Sequence, residues 1–266
     1  MSFLIYMSNT FNKHTRVNSL TYFDDAEQAS IYTAKQIAEL IIEQQKQAKP
    51  AVLGLATGNT PKVVYQELIR LHQNEGLSFH NVISFNLDEY YPIGPEHIRS
   101  YTFFMREYLF KHIDIKPENI YIPHTVCSPD RIEDYCKYYE DRISSFGGLD
   151  LQLLGIGRNG HIGFNEPGSS FESTTRLVNL HSLTREDAHT DFGTIDKVPQ
   201  QAISIGIHTI TQAKKILLLA LGEKKSEIIS KALKGEISTQ VPASILQTLS
   251  HVEYILDRDA AALIHE

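Results

Sequence analysis

Cysteine is scarce in this chain, and long hydrophobic runs are absent. Only Cys127 and Cys136 occur in 266 residues, and their spacing matches no zinc or redox motif, so we expect neither a disulfide framework nor a metal site. No apolar segment reaches the length of a membrane span. The amino-terminal stretch MSFLIYMSNTFNKH lacks the basic region and the long apolar region of a signal peptide. These features predict a cytoplasmic protein with no membrane partner.

An excess of positive charge is also absent. The chain has 25 Lys and Arg against 32 Asp and Glu, a formal net charge of -7, and a pI of about 5.9. Nucleic acid is therefore not expected as a partner, since domains that bind it are usually basic. An anionic small molecule is still compatible with this balance, because one lysine or one helix amino terminus can dominate a local site.

Patterns typical of strands and of helices alternate along the chain. This alternation predicts an α/β fold with a doubly wound, mostly parallel sheet and helices on both faces. We find no repeat, linker or break in composition, so we expect an irregular extension over residues 1–14 and a single domain over 15–266. Strands are predicted within 16–23 and at 51–56, 82–86, 149–157, 202–207, 215–221 and 252–256. Helices are predicted at 26–47, 61–72, 100–112, 129–145, 223–233 and 242–249, with one or two helical turns at 259–264.

The segment 153–168, LLGIGRNGHIGFNEPG, is the most informative part of the chain. An apolar strand gives way to glycines, and Asn159, His161 and Glu166 follow in a loop of small residues. Ligands of open α/β sheets bind at the carboxyl ends of the strands. A carboxylate near an imidazole holds one tautomer and raises its basicity, so the pair can act in acid–base chemistry. A polar loop with a solvated histidine is the alternative interpretation.

Two further candidates concern the binding of an anion. The loop ATGNTP, residues 56–61, contains Thr57, Gly58, Asn59 and Thr60 between a predicted strand and a predicted helix. Its backbone N–H groups could hold a phosphate, although it lacks the spacing of a P-loop, and an ordinary strand-to-helix turn fits equally well. Lys225 lies in the first turn of a later predicted helix, where a bound anion would offset its unfavourable position. A solvated lysine is the alternative.

Adjacent carboxylates follow the strand at 82–86, in the segment FNLDEYY. Neighbouring residues point in different directions, so one of Asp88 and Glu89 can face a cleft while the other braces the loop. Asp88 in a partly desolvated cleft would have a raised pKa and could serve as a base. A cap of a helix or turn is the alternative role.

Four motifs together resemble those of the glucosamine-6-phosphate deaminases, also called isomerases. They are LGLATGNTP, SFNLDEYYP, SYTFFMREYLFKHIDIKPENIYIP and LLGIGRNGHIGFNEPGS, in order and at similar spacing within residues 20–263. The resemblance implies a Rossmann-like fold shared with 6-phosphogluconolactonases. It also implies conversion of glucosamine-6-phosphate and water to fructose-6-phosphate and ammonia without a cofactor.

The resemblance also implies roles for individual residues. Asp88 resembles the base that abstracts a proton, His161 the residue that opens the sugar ring, and Glu166 its carboxylate partner. The phosphate site of the family maps to residues 58–60 and to Lys225.

The chain departs from the family's pattern at three places. Asn159 replaces an aspartate found in some members, so the His161 relay is expected to rest on Glu166 alone. Thr190 stands where many members have a phosphate-binding arginine. Regulated members have several basic residues in an allosteric pocket, and this chain keeps only one of them, Arg176. We therefore expect no strong allosteric activation.

Alternative functions remain open from the sequence. A galactosamine-6-phosphate isomerase would differ at one hydroxyl of its substrate, and a 6-phosphogluconolactonase would share the fold and hydrolyse an ester. A sugar-phosphate sensor without catalysis is a third alternative, although it would not need Asp88, His161 and Glu166 together. In each case the partner is a small sugar phosphate, and a homo-oligomer is possible.

Overall fold

The main layer of the molecule is a seven-stranded parallel sheet. A computed structural model describes residues 19–124 and 128–264 of the chain. Its sheet has the order β1-β10-β9-β6-β2-β3-β5, and every pairing within it is parallel. The strands of this sheet are β1 (Ser19–Phe23), β2 (Ala51–Leu55), β3 (Val82–Asn86), β5 (Ile120–Tyr121), β6 (Leu151–Leu154), β9 (Ile216–Ala220) and β10 (Val252–Asp257).

Helices cover this sheet, which explains why its central strands are apolar throughout. All five residues of β2 and of β9 are buried, as is usual for strands covered on both faces. Helix α1 turns Ala34, Ile37 and Ile41 toward the core, and the Asp25 side chain caps its first turn. The helices are α1 (Ala26–Lys46), α2 (Lys62–Glu75), α3 (Tyr101–Tyr108), α4 (Ile132–Ser145), α5 (Ser182–Phe192), α6 (Ile207–Thr211) and α7 (Ser226–Lys234).

The order of the strands creates a crevice between β2 and β6. From β2 the chain proceeds outward through β3 to β5, whereas from β6 it proceeds through β9 to β10 on the other side. The loops after β2 and β6 therefore depart in opposite directions, which opens a binding crevice at the carboxyl edge of the sheet. The predicted doubly wound α/β fold is confirmed.

A second, antiparallel sheet was not predicted. It has the order β4-β8-β7, formed by β4 (Asp88–Tyr91), β7 (Arg176–Asn179) and β8 (Gln201–Ser204). The assignment of residues 202–207 to the parallel sheet was wrong, because β8 pairs antiparallel with both β4 and β7. These four-residue strands have too few alternating positions for sequence periodicity to identify their sheet.

Other differences occur at the ends of elements. Strand β6 ends at Leu154, before Gly155 and Gly157, rather than at 157. Pro242–Thr248 is a 3-10 helix, and residues 259–264 form hydrogen-bonded turns rather than a helix. Ser100 caps α3 as predicted, through a hydrogen bond from the Phe103 N–H, whereas helix α5 was not predicted.

The predicted extension at 1–14 and the start of the first strand at 16–18 lie outside the described residues. Within the described ranges no helix combines the length and the apolar character needed to cross a membrane.

Candidate active site

The sequence-predicted residues follow four strands that are neighbours in the sheet. The order β9-β6-β2-β3 brings four loops to one edge. Lys225 follows β9, the loop with Asn159, His161 and Glu166 follows β6, residues 57–60 follow β2, and Asp88 follows β3. The fold thus places all the predicted groups around the crevice at the switch in strand order.

The two adjacent carboxylates have separate surroundings. The Glu89 carboxylate accepts hydrogen bonds from the backbone N–H groups of Tyr90, Tyr101 and Thr102 at 3.0, 2.9 and 2.8 Å and from the Thr102 hydroxyl. It therefore satisfies the first turn of α3 and is the bracing member of the pair. Asp88 makes no hydrogen bond through its carboxylate in the described part of the chain.

Asp88 is a buried carboxylate with a strongly altered acidity. Its exposed fraction is 6%, and burial, followed by the neighbouring charge of Glu89, raises its pKa to about 8. A Cβ added to Gly163 would lie 3.4 Å from Asp88 Oδ2 and 3.2 Å from Ser204 Oγ. Gly163, at a φ of +57°, thus lets the loop of His161 and Glu166 approach Asp88 closely.

Asn159 stands between His161 and Glu166. The His161 ring nitrogen Nδ1 lies 2.7 Å from Asn159 Oδ1 and 3.4 Å from Glu166 Oε2, while Asn159 Nδ2 donates to Glu166 Oε2 at 2.8 Å. The expectation that the relay rests on Glu166 alone was therefore wrong. An amide oxygen only accepts, so this arrangement assigns the proton to Nδ1 and leaves Nε2 as the acceptor.

Glu166 is held in its charged form. Its burial opposes ionisation, but the hydrogen bond and charge of His161, helped by Thr184 and Asn159, lower its pKa to about 2. A charged carboxylate oxygen therefore lies 3.4 Å from the Nδ1 atom of the His161 ring.

Gly157 makes room for the imidazole. A Cβ added there would lie 2.1 Å from the His161 Cε1 atom and 2.3 Å from both ring nitrogens. The ring occupies the space above the glycine backbone, so this position requires the absence of a side chain. The glycines of the segment were recognised from the sequence, but this close approach was not.

Helix α5 lies beside the relay and was missed by the sequence analysis. Thr184 Oγ1 lies 3.4 Å from His161 Nδ1, and the His181 backbone N–H donates to Glu166 Oε1 at 3.2 Å. Thr184 is the only residue of α5 that is buried. Such a polar helix has no apolar periodicity from which it could have been identified.

The loop after β2 offers free backbone donors. Within the described part of the chain no acceptor is found for the N–H groups of Gly58, Asn59 and Thr60, and α2 begins without a side-chain cap. Gly58 has a φ of +97° with open space around it. Lys62 is directed elsewhere, over the rings of Phe104 and Tyr108.

Lys225 is half-buried and directed toward the loop after β6. Its ammonium donates to the Ile156 carbonyl at 2.7 Å, and burial lowers its pKa. This side chain is thus held at the crevice edge rather than solvated.

Thr190 and Arg176, the other positions singled out from the sequence, have different surroundings: Thr190 faces solvent, whereas Arg176 contacts the loop of His161 and Glu166. Thr190 is exposed beside Arg99 and Lys197, and Arg185 donates to the Ile195 and Val198 carbonyls after α5. Arg176 donates to Asn165 Oδ1 and Ser169 Oγ. Among residues 19–124 and 128–264, no three His, Cys, Asp or Glu side chains are arranged to hold a metal ion.

The fold and this cluster define an α/β protein with a polar site at the switch in strand order. The family described as glucosamine-6-phosphate isomerases/6-phosphogluconolactonase matches residues 24–254, and the chain belongs to this family.

Several relatives are similar over most of the chain. Glucosamine-6-phosphate deaminase 1 of Bacillus subtilis is 49% identical over 86% of this chain and 94% of its own length. A glucosamine-6-phosphate deaminase-like protein of Bacteroides thetaiotaomicron is 45% identical over 95% of the chain, which spans only 39% of that longer protein. A solved structure of a monomeric glucosamine-6-phosphate deaminase, 46% identical, superimposes with a TM-score of 0.88 over 92% of this chain and 99% of its own.

Proposed function

We propose that this protein is a glucosamine-6-phosphate deaminase that converts its substrate and water to fructose-6-phosphate and ammonia without a cofactor. The observation that carries the proposal is the buried Asp88 carboxylate beside the loop of the His161–Asn159–Glu166 relay. The Bacillus subtilis relative and the solved structure, both named for this activity and 49% and 46% identical to the chain, support the choice of substrate. Of the two activities in the family's description, the deaminase is the one we favour.

The phosphate of the substrate would bind at the end of the crevice formed by residues 57–60 and Lys225. Unpaired N–H groups at an uncapped helix amino terminus favour an anion. The half-buried ammonium of Lys225 adds a charge-assisted hydrogen bond. Neither group reacts, so this end of the site orients the sugar.

His161 would open the sugar ring. Ring opening moves a proton from the anomeric hydroxyl to the ring oxygen, and an imidazole carries out such transfers near neutral pH. The bond from Nδ1 to Asn159 leaves Nε2 to accept this proton, while the ionised Glu166 stabilises the resulting cation.

Asp88 would then transfer a proton between two carbons of the open chain. It removes the proton from carbon 2 and returns it to carbon 1, while one proton of the substrate's ammonium passes to the aldehyde oxygen. The amino aldose thereby becomes the protonated imine of a ketose. Water adds to carbon 2 of this imine, and ammonia leaves. The substrate's ammonium would lower the pKa of Asp88 on binding, since an opposite charge favours the carboxylate, so the base is ionised when it is needed.

Ammonia release tests this proposal. We expect turnover of glucosamine-6-phosphate, less with galactosamine-6-phosphate, and very little with unphosphorylated glucosamine. Asp88→Asn should reduce turnover at least about 100-fold, because a positioned base contributes on the order of 10²–10⁴-fold. Asp191→Asn, an exposed carboxylate of α5, serves as the matched control.

Other results would contradict the proposal. A preference for the galactosamine substrate would reassign the sugar. Acid release from 6-phosphogluconolactone without ammonia release from either amino sugar would identify a lactonase. An Asp88→Asn variant that keeps more than about a tenth of the turnover would exclude Asp88 as the base. Cytoplasmic location and a homo-oligomeric state stay predictions; size-exclusion chromatography with light scattering measures the latter.

A further inference from the structure

A bidentate ion pair joins the site loop to α5. Arg158 Nε donates to Asp187 Oδ2 at 2.9 Å, and Arg158 Nη2 lies 2.8 Å from Asp187 Oδ1. The two side chains are 45% and 48% exposed. Pairs this exposed contribute little to stability, typically about 0–1 kcal/mol. Stabilisation of the fold therefore does not explain why Arg158 and Asp187 form this pair.

The pair lies next to Lys225. The carbonyl that accepts from the Lys225 ammonium belongs to Ile156, two residues before Arg158. Burial lowers the pKa of Lys225, and the smaller effects of the Asp187 and Arg158 charges on that pKa act in opposite directions. An ammonium, a guanidinium and a carboxylate thus share one end of the crevice.

We infer that Arg158 is a second binding group for the substrate phosphate, and that Asp187 occupies its guanidinium in the empty enzyme. The inference rests on the proposed function, because it assigns the group that recognises the phosphate of that substrate. A guanidinium fork accepts a carboxylate and a phosphate in the same bidentate manner. A phosphate dianion drawn in by Lys225 would compete with Asp187 for Arg158.

Asp187 therefore acts as an internal competitor that selects for strong anions. A substrate without a phosphate cannot displace it, and a dianion can. The exchange also breaks the link between Arg158 and α5, the helix whose Thr184 and His181 contact the relay. Occupation of the phosphate site is thereby coupled to the position of α5.

Binding of inorganic phosphate tests this inference, because the Arg158→Gln and Asp187→Asn variants should change the phosphate affinity in opposite directions. By isothermal titration calorimetry at low salt, Arg158→Gln should weaken binding roughly 10- to 100-fold, the equivalent of a charge-assisted hydrogen bond. Asp187→Asn should tighten binding about 2- to 5-fold, because it frees the guanidinium from an exposed pair worth up to about 1 kcal/mol. In the Arg158→Gln background the same Asp187 change should have a much smaller effect.

The pair Arg99 and Asp191 provides the control. It joins the carboxyl-terminal end of α5 to another loop, with Arg99 Nη1 3.7 Å from Asp191 Oδ1 and similarly exposed side chains. Arg99→Gln and Asp191→Asn should leave phosphate affinity within about twofold of the wild type. Thermal melting of every variant separates loss of fold from loss of binding.

Three results would overturn the inference. Weaker phosphate binding in both Arg158→Gln and Asp187→Asn would show a purely structural pair. Changes no larger than those of the control pair, or no binding by the wild type up to about 10 mM phosphate, would also reject it. Because calorimetry reads no turnover, an inactive protein with the opposite-sign pattern would reject the proposed activity alone.

Discussion

At the scale of single residues, Asp88 combines burial with the lack of a hydrogen-bond partner among the described residues. Ionising a buried, unpaired carboxylate is costly. A base with this environment holds its proton tightly until a cation arrives, which favours removal of a proton from carbon. The free-energy cost of ionising Asp88 lowers the stability of the folded state.

Asp88→Asn should therefore stabilise the protein at alkaline pH. A pKa raised to about 8 in the fold means that the folded state binds more protons than the unfolded state between about pH 4 and 8. Wild-type stability thus falls as pH rises through this window, and the asparagine removes that loss. We expect the advantage of the variant to grow by roughly 2–4 kcal/mol from pH 5 to pH 8.

Chemical denaturation at the two pH values measures this change. The Asp191→Asn control should keep a constant difference from the wild type, since its carboxylate is 63% exposed. A difference for Asp88→Asn that is the same at pH 5 and pH 8 would show that the folded pKa of Asp88 is ordinary.

Gly157 offers a second test at this scale. In Gly157→Ala the new methyl group would overlap the His161 ring, so the ring must leave its place beside Asn159. A positioned proton-transfer group contributes on the order of 10²–10⁴-fold, and the displaced ring keeps only part of this contribution, so we expect turnover to fall at least about 10-fold. Gly155→Ala is the matched control, since nothing lies within 4 Å of a Cβ added there. Equal rates in the two variants would contradict the close approach to His161.

At the scale of elements, the first turn of α3 depends on a residue outside the helix. The N–H groups of Tyr101 and Thr102 donate to Glu89, and that of Phe103 donates to Ser100. Burial raises the pKa of Glu89 to about 6, although these N–H bonds oppose that shift. One carboxylate thereby fixes the start of α3 against β4.

Glu89→Ala should cost more stability than Ser100→Ala. The first removes the acceptor of three backbone N–H groups in the interior, for which we expect a loss of about 2–4 kcal/mol. The second removes one cap, worth about 1 kcal/mol. Urea unfolding of both variants at pH 7.5 gives the comparison. A smaller loss for Glu89→Ala would mean that water replaces the carboxylate and that the helix does not need it.

The sequence predicts elements well where burial forces a pattern. Strands such as β2 and β9 are apolar along their whole length, and Ser100 is a recognisable cap. Strand β7 and helix α5 offered no such signal, because their residues are mostly half-buried or exposed.

The candidate site likewise has features that the sequence predicts and features that it does not. Its residues could be selected because they follow apolar strands, and parallel strands bring their carboxyl ends to one edge. The contacts of Asn159 between His161 and Glu166, and of Arg158 with Asp187, depend on side-chain directions within irregular loops. Such directions have no sequence period from which to predict them.

At the scale of the whole molecule, stability is distributed unevenly. The large core follows the parallel sheet and its covering helices. Two smaller apolar clusters lie on opposite faces of the antiparallel sheet, one around Tyr90, Phe164 and Ala202 and one around Tyr91, Cys136 and Ile203. The carboxyl edge of the sheet is therefore flanked by a part with less buried apolar surface, where opening costs less free energy.

Helix α5 is the extreme case, with one buried side chain in eleven residues, and it should be the first described helix that a protease can enter. Trypsin should cut the folded protein after Arg185 or Lys197 before it cuts within α1, α2 or α4, since cleavage needs local unfolding. Mass spectrometry of short digests identifies the first cut, and initial cleavage within α4 would contradict this order.

The nicked chain should stay folded around the parallel sheet, its fragments held together by the large core. The segment 182–197 is thus the place where this protein could accept a break or an inserted peptide without losing its fold.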